Sequence, residues 1–328
     1  MKKIFFWCIA LIGIFACKSE NPFQSKQPNI LFIAIDDLKP MLGSYGDAII
    51  QTPHMDQIAN EGITFLNNHC QVAVCGASRV SLLTGMYPDR AGVWTFEKMR
   101  KNHPDVVTLP QHFRQNGYKT YNIGKIFDYR TVDKYLDSIS WDYVFPVKES
   151  DYYPHYHDSA GIAALYHYQS PKVKEMYEKY REEALSLGED TFRYAFKRIS
   201  PATERLDLPD NAYKDGIFAD LALKKIDELS KEKSPFFLAI GFHKPHLPFV
   251  APKKYWDLYD RKEIDIAQYQ QMAKNPVPFA YSKSSELRKY SDEEGRFIYE
   301  KLAHDSTLTQ DEQAKLIHAY MATVSFVD

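Results

Sequence analysis

The stretch Asn29 to Asp37, N-I-L-F-I-A-I-D-D, decides the fold class. An unbroken apolar, β-branched run through Ile35 reads as a buried central strand of a parallel or mixed sheet, and it ends on two adjacent carboxylates, Asp36 and Asp37. Pro53 to Asn60 then reads as a helix closed by Gly62, and Ile63 to Leu66 as a short strand. Leu109 to Asn116 is predicted helical with Gly117 as its C-cap, followed by a strand over Lys119 to Ile123. Ala212 to Lys231 carries an apolar helical face through Ile217, Leu221, Leu223 and Ile226. A second buried strand, Phe236 to Gly241, runs into His243-Lys244-Pro245-His246-Leu247-Pro248. Strands alternating with helices predict an α/β layered sheet.

Residues 128–201 are less regular and read as a peripheral insertion, with an aromatic and histidine cluster at Tyr152 to His157 and a charged helical stretch near Val173 to Leu187. At the far end, Thr309 and Glu312 form a capping box ahead of an apolar stripe through Leu316, Tyr320, Val324 and Val327. That stripe is still running at Asp328, with no Gly or Pro to close it.

The other end looks like a targeting segment. Lys2 and Lys3 precede an apolar run, Ile4 to Ala16, too short for a bilayer span of about 20 residues. Ile14-Phe15-Ala16-Cys17 resembles a lipobox, so residues 1–17 are expected to be a lipoprotein signal, with a lipid anchor on Cys17 and a polar tether over 18–27. The expected location is the periplasm or outer membrane of a bacterium. Of four cysteines, only Cys70 and Cys75 then remain in the body, too few for a disulfide framework. A formal net charge of −2 gives no nucleic-acid signal, so any anion must be held by local charge.

Val74 to Gly85, V-C-G-A-S-R-V-S-L-L-T-G, supplies such a place. Cys75 stands at the mouth of a predicted helix, where unpaired backbone N–H groups and the helix dipole favour negative charge. One turn on, Arg79 adds a guanidinium able to grip an oxyanion with two hydrogen bonds. A buried free cysteine before a short helix is the plainer reading. The carboxylates at Asp36 and Asp37 and the histidines at 243 and 246 follow other strands, and ligand sites in α/β sheets gather beyond the strands' carboxyl ends. Adjacent carboxylates there call for a cation, and hard oxygen donors favour calcium or magnesium.

The segments N-I-L-F-I-A-I-D-D-L-K-P, T-P-H-M-D-Q-I-A, C-G-A-S-R-V-S-L-L-T-G, G-Y-K-T-Y-N-I-G-K-I-F and F-F-L-A-I-G-F-H-K-P-H-L-P-F resemble, in order, those of type I sulfatases, most of all the iduronate-2-sulfatase branch. The resemblance covers residues 28–328 and implies an alkaline-phosphatase-like α/β sandwich, incomplete at its C-terminal side. It further implies that a separate maturase oxidises Cys75 to formylglycine, and that Asp36, Asp37 and the modified Cys75 hold a calcium ion, with magnesium as the alternative. Arg79 would steady the nucleophile, Lys125 would contact sulfate, and His243 would bind sulfate or protonate the leaving alcohol, with His246 as its neighbour. The implied substrate is a sulfated carbohydrate, with 2-O-sulfated uronate a specific case.

Three departures stand out. Ala77 replaces the usual proline after the cysteine; Asp128 stands where iduronate-2-sulfatases carry a histidine three residues after the lysine; and the later Asp-His-Gly strand and lysine are not in the chain. The chain alone is therefore expected to be inactive. A phosphodiesterase or phosphonate hydrolase of the same superfamily, or a non-catalytic glycan-binding lipoprotein, are the alternatives.

Overall fold

The computed structural model describes residues 27–133, 136–145, 167–271, 273–275, 277, 286–292, 294–298 and 308–328. The lipobox and the Tyr152 to His157 cluster lie outside the described residues. The framework is a four-stranded parallel sheet of order β1-β5-β2-β3, with β1 at Ile30–Asp36, β2 at Lys119–Gly124, β3 at Tyr143–Phe145 and β5 at Phe236–Pro245. Both apolar runs seen in the sequence are thus neighbours: Ile30 lies beside Phe237, and the register holds to Ile35 opposite Phe242 before shifting, so that Asp36 faces Pro245. A second, two-stranded sheet joins β4, Thr203–Leu206, to β6, Phe249–Pro252.

Alternate side chains of β5 serve two cores, as the period-2 geometry of a strand requires. Phe237 and Ala239 pack with Ala77, Val80 and Leu83 of helix α2, Cys75–Thr84, and with Phe113 of α3, Leu109–Gln115. Leu238 and Ile240 pack instead with Phe218 and Ala222 of α5, Lys214–Ser230. A sheet with helices on both faces is the α/β sandwich expected from the sequence. The remaining named helices are α1, Pro53–Glu61; α4, Pro171–Leu187; and α6, Gln310–Val327, which opens with the anticipated Thr309/Glu312 capping box. No described helix is long and apolar enough to cross a membrane.

The structure differs from the sequence reading in four places. Residues Ile63 to Leu66 form no strand: their apolar side chains Ile63, Phe65 and Leu66 are exposed, with no strand beside them among the described residues. Strand β1 is an edge rather than a central strand within the described sheet, and Leu31 and Ile33 are 48% and 47% exposed. In α5 Leu223 of the expected stripe points outward, while Leu221 and Ile226 pack beside the buried Phe218, Ala222 and Leu229 against the sheet. Finally, α6 is buried on more than one stripe, because β6 and the Trp256 region cover Ala319 and Ala322 while Leu42 and Ile50 meet Met321 and Val324.

Candidate active site

Strands β1, β2 and β5 run in the same direction, so their carboxyl ends share one rim of the sheet, and charged residues lie at or just beyond each end. Asp36 closes β1, Lys125 follows β2, and the His243-Lys244-Pro245-His246 segment closes β5. Gly124 makes the β2 turn tight enough: its φ of +78° lies in the left-handed region, and a Cβ there would fall 2.3 Å from the Gly241 carbonyl.

Asp36 is the hub. Its Oδ1 accepts from Arg79 Nη2 at 2.7 Å and its Oδ2 from Lys125 Nζ at 2.5 Å. Burial alone would raise the Asp36 carboxyl, but Lys125 and Arg79 overcome it and hold the group down at about 2. Arg79 is itself buried, and its Nη1 donates to the carbonyls of Lys125 and Ile126. The helix carrying Arg79 begins at Cys75 from an extended Val74 with no side-chain cap, which leaves its first turn open to an anion.

Cys75 Sγ lies 3.3 Å from Asp128 Oδ2 and 3.4 Å from Arg130 Nη2. Burial raises the thiol, and Lys125 opposes that while Asp128 reinforces it. Asp128 is fully buried and accepts from Arg130 Nε and Nη2, both at 2.8 Å. Burial would push the Asp128 carboxyl up, yet the Arg130 hydrogen bonds and Lys125 hold it well below the usual carboxylate range.

Asp37 takes a different direction. It sits in the left-handed region with φ of +56°, and its carboxylate lies 3.6 Å from His246 Nε2, which is also 3.3 Å from Glu286 Oε1. Asp37, His246 and Glu286 form the one His/carboxylate group compact enough to share an ion among the described residues. Burial and the Asp36 charge push the Asp37 carboxyl up, against His246.

His243 is turned elsewhere. Its Nε2 is 3.4 Å from Lys214 Nζ, its Nδ1 is 3.7 Å from Asp215 Oδ1, and Asp215 accepts from the His243 and Lys244 backbone amides. Burial, then Lys214, lower the His243 ring well below its ordinary value.

The structure thus brings Asp36, Arg79, Lys125 and Cys75 into one constellation, and sets Asp37 with His246 beside it. His243 belongs to a pocket lined also by His167, Tyr213, Lys214 and Asp215. Arg130 and Glu286 were not read from the sequence. Arg130 had a signal, two residues beyond the Asp128 that departs from the sulfatase pattern; Glu286 had none.

Comparison with known proteins fits this geometry. The sulfatase family model matches residues 28–328, and the chain belongs to that family. Mouse iduronate 2-sulfatase is 31% identical over 323 residues, covering 97% of this chain and 53% of the relative; the human protein of the same name is 31% identical over 92% of this chain and 49% of its own length. The chain therefore spans about half the length of these curated relatives. Among solved structures, the phosphonate monoester hydrolase of Agrobacterium radiobacter superposes with a TM-score of 0.56 at 18% identity, over 92% of this chain and 57% of the other. The fold is the alkaline-phosphatase-like α/β sandwich.

Proposed function

We propose that the protein hydrolyses the sulfate ester of a glycan, with 2-O-sulfated uronate as the substrate class to test first. The observation that carries this reading is the convergence of Arg79 and Lys125 on Asp36 beside the Cys75-headed helix. The 31% identity to iduronate 2-sulfatases supports the choice of sugar.

A sulfate monoester is an anion and repels an incoming nucleophile, so the rim must offset charge at the reacting sulfur. Arg79, fixed by Asp36 and two carbonyls, offers a guanidinium that need not reorganise. Lys125 has a longer reach and shares the Asp36 carboxylate, so it can turn its ammonium to a sulfate oxygen while staying near that anion. Formylglycine at position 75 would supply a hydrated aldehyde as nucleophile in place of the thiol. His246, between Asp37 and Glu286, is the residue we assign to the leaving alcohol, in preference to His243, whose ring is turned to Lys214 and Asp215.

The family implies a divalent metal. Asp36 already has each oxygen engaged by a cation, and Asp37 with Glu286 and His246 offers two carboxylates and one imidazole. Calcium takes about six to eight oxygens, so the described residues do not make a calcium cage of their own.

Peptide mass spectrometry across Cys75, after co-expression with a formylglycine-generating maturase, tests the proposal: the lighter aldehyde is expected, and an intact thiol would favour a glycan-binding role. Comparing turnover of an aryl sulfate with that of phosphate mono- and diesters separates sulfatase from phosphonate or phosphodiester hydrolase. We propose also that residues 1–17 direct export and that Cys17 is acylated; labelled palmitate incorporated by the wild type and lost in C17A would support this.

A further inference from the structure

We propose that Arg130 is a second arginine for the substrate's sulfate group, delivered to the Cys75 rim by Asp128 in the place where related sulfatases are expected to present a histidine. The inference rests on the sulfatase reading and goes further by assigning a residue to the anion.

Three independent contacts fix Arg130. Asp128 accepts from Nε and Nη2 in a bidentate fork, the most directional way to hold a guanidinium. The Phe96 ring lies 3.5 Å from the guanidinium carbon, stacked against its face, and Tyr129 stands 5.6 Å away. Nη2 also reaches Cys75 Sγ at 3.4 Å. The sequence leaves room for this arrangement by placing glycine directly after the cysteine: a Cβ on Gly76 would meet the Thr95 carbonyl at 2.4 Å and the Phe96 ring at 2.7 Å. Any side chain at position 76 would therefore displace the ring on which Arg130 rests.

The held guanidinium is not spent on the protein. Its Nη1 makes no hydrogen bond among the described residues, and the side chain is 39% exposed whereas Asp128 beneath it is 1% exposed. Along this rim three cations, Arg79, Lys125 and Arg130, pair with the carboxylates Asp36 and Asp128, and Asp37 stands beside them with His246. Arg130 is the most exposed of the three cations, at 39% against 8% for Arg79 and 14% for Lys125. An anion whose central atom approaches the nucleophile at position 75 places its outer oxygens within reach of a group already 3.4 Å from Sγ. A sulfate monoester meets that geometry and that charge.

The test needs no turnover, so it can fail independently of the sulfatase reading. In the full chain made without a maturase, Cys75 is a thiol, and Cys70 is an exposed thiol in the same molecule. Alkylation rates with anionic iodoacetate and neutral iodoacetamide are measured at both sites by peptide mass spectrometry. Their ratio cancels the thiolate fraction and reports local charge. The ratio at Cys75 should exceed that at Cys70 in the wild type. It should fall about fivefold in R130Q, the size expected of one unit charge roughly 4 Å from the reagent's carboxylate in a water-like medium. R130K should keep most of the effect, and inorganic sulfate should slow Cys75 alkylation in the wild type but less in R130Q. A wild-type ratio at Cys75 no higher than at Cys70, which requires no variant to fold, overturns the proposal. So does an R130Q ratio equal to that of the wild type.

Discussion

Arg79 joins the end of β1 to the turn after β2: Nη2 donates to Asp36 Oδ1 across 2.7 Å, while Nη1 donates to the Lys125 carbonyl at 2.5 Å and the Ile126 carbonyl at 2.9 Å. A single buried guanidinium therefore neutralises the end of one strand and closes the loop of another two positions away in the sheet, across β5. The charge that an anion would meet is also a structural tie.

Replacing Arg79 by glutamine should destabilise the protein by about 3 kcal/mol, the lower end of the cost of breaking a buried ion pair, since Lys125 still faces Asp36. Urea denaturation followed by circular dichroism measures this. A loss below about 0.5 kcal/mol, the usual size for a surface substitution, would mean that Arg79 is not a tie.

Acid should expose the role of Asp36. Its folded-state value of about 2 lies below the ordinary 3.8, so its ionised form contributes stability that is fully present above pH 4. That contribution is lost as pH falls from 4 towards 2. Asp36→Asn should be less stable than wild type at pH 6, with the gap narrowing across that window in denaturation series run at several pH values. A gap independent of pH would contradict the assignment.

The side chain of Asp328 accepts from the backbone amides of Met55 and His54, at 2.7 and 3.1 Å, and so caps α1 from the far end of the sequence. Thr52, the residue in the cap position, makes no such bond. Asp328→Ala should cost about 1 kcal/mol, typical of a lost helix cap. Hydrogen exchange at those two amides should quicken more than exchange in β5; equal effects would argue against a local cap.

Strand β1 presents Leu31 and Ile33 at an edge unpaired among the described residues. Exposed apolar edges promote strand-to-strand association. Leu31→Lys should lower light scattering of the purified chain on warming, with little change in its unfolding midpoint. Unchanged scattering would show that the edge is covered in solution.

Much of this was legible in advance. Asn29 to Ile35 and Phe236 to Gly241 announced themselves as strands because each is an uninterrupted apolar run, but their pairing across some 200 residues, with the first at the edge, carried no local signal. The Cys75 helix and its arginine one turn on were equally plain, because spacing along one helix fixes which groups can share a site. What could not be read was direction. His243 and His246 are three residues apart, yet one turns to Lys214 and Asp215 and the other to Asp37 and Glu286. Arg130 was hidden for a similar reason: its role depends on Asp128 and on the Phe96 ring, which lies in a separate loop.

The pairing of β1 with β5 also sets a timetable. Phe236 N donates to Asn29 Oδ1 across 207 positions, so the first strand leaves the ribosome well before its partner has been made, roughly 20 s at common synthesis rates. Through that interval Asp36 cannot meet the residues closing the other strand, and the rim exists only as scattered charges. Slow, non-local pairing of this kind is where a nascent chain most needs a chaperone's shelter.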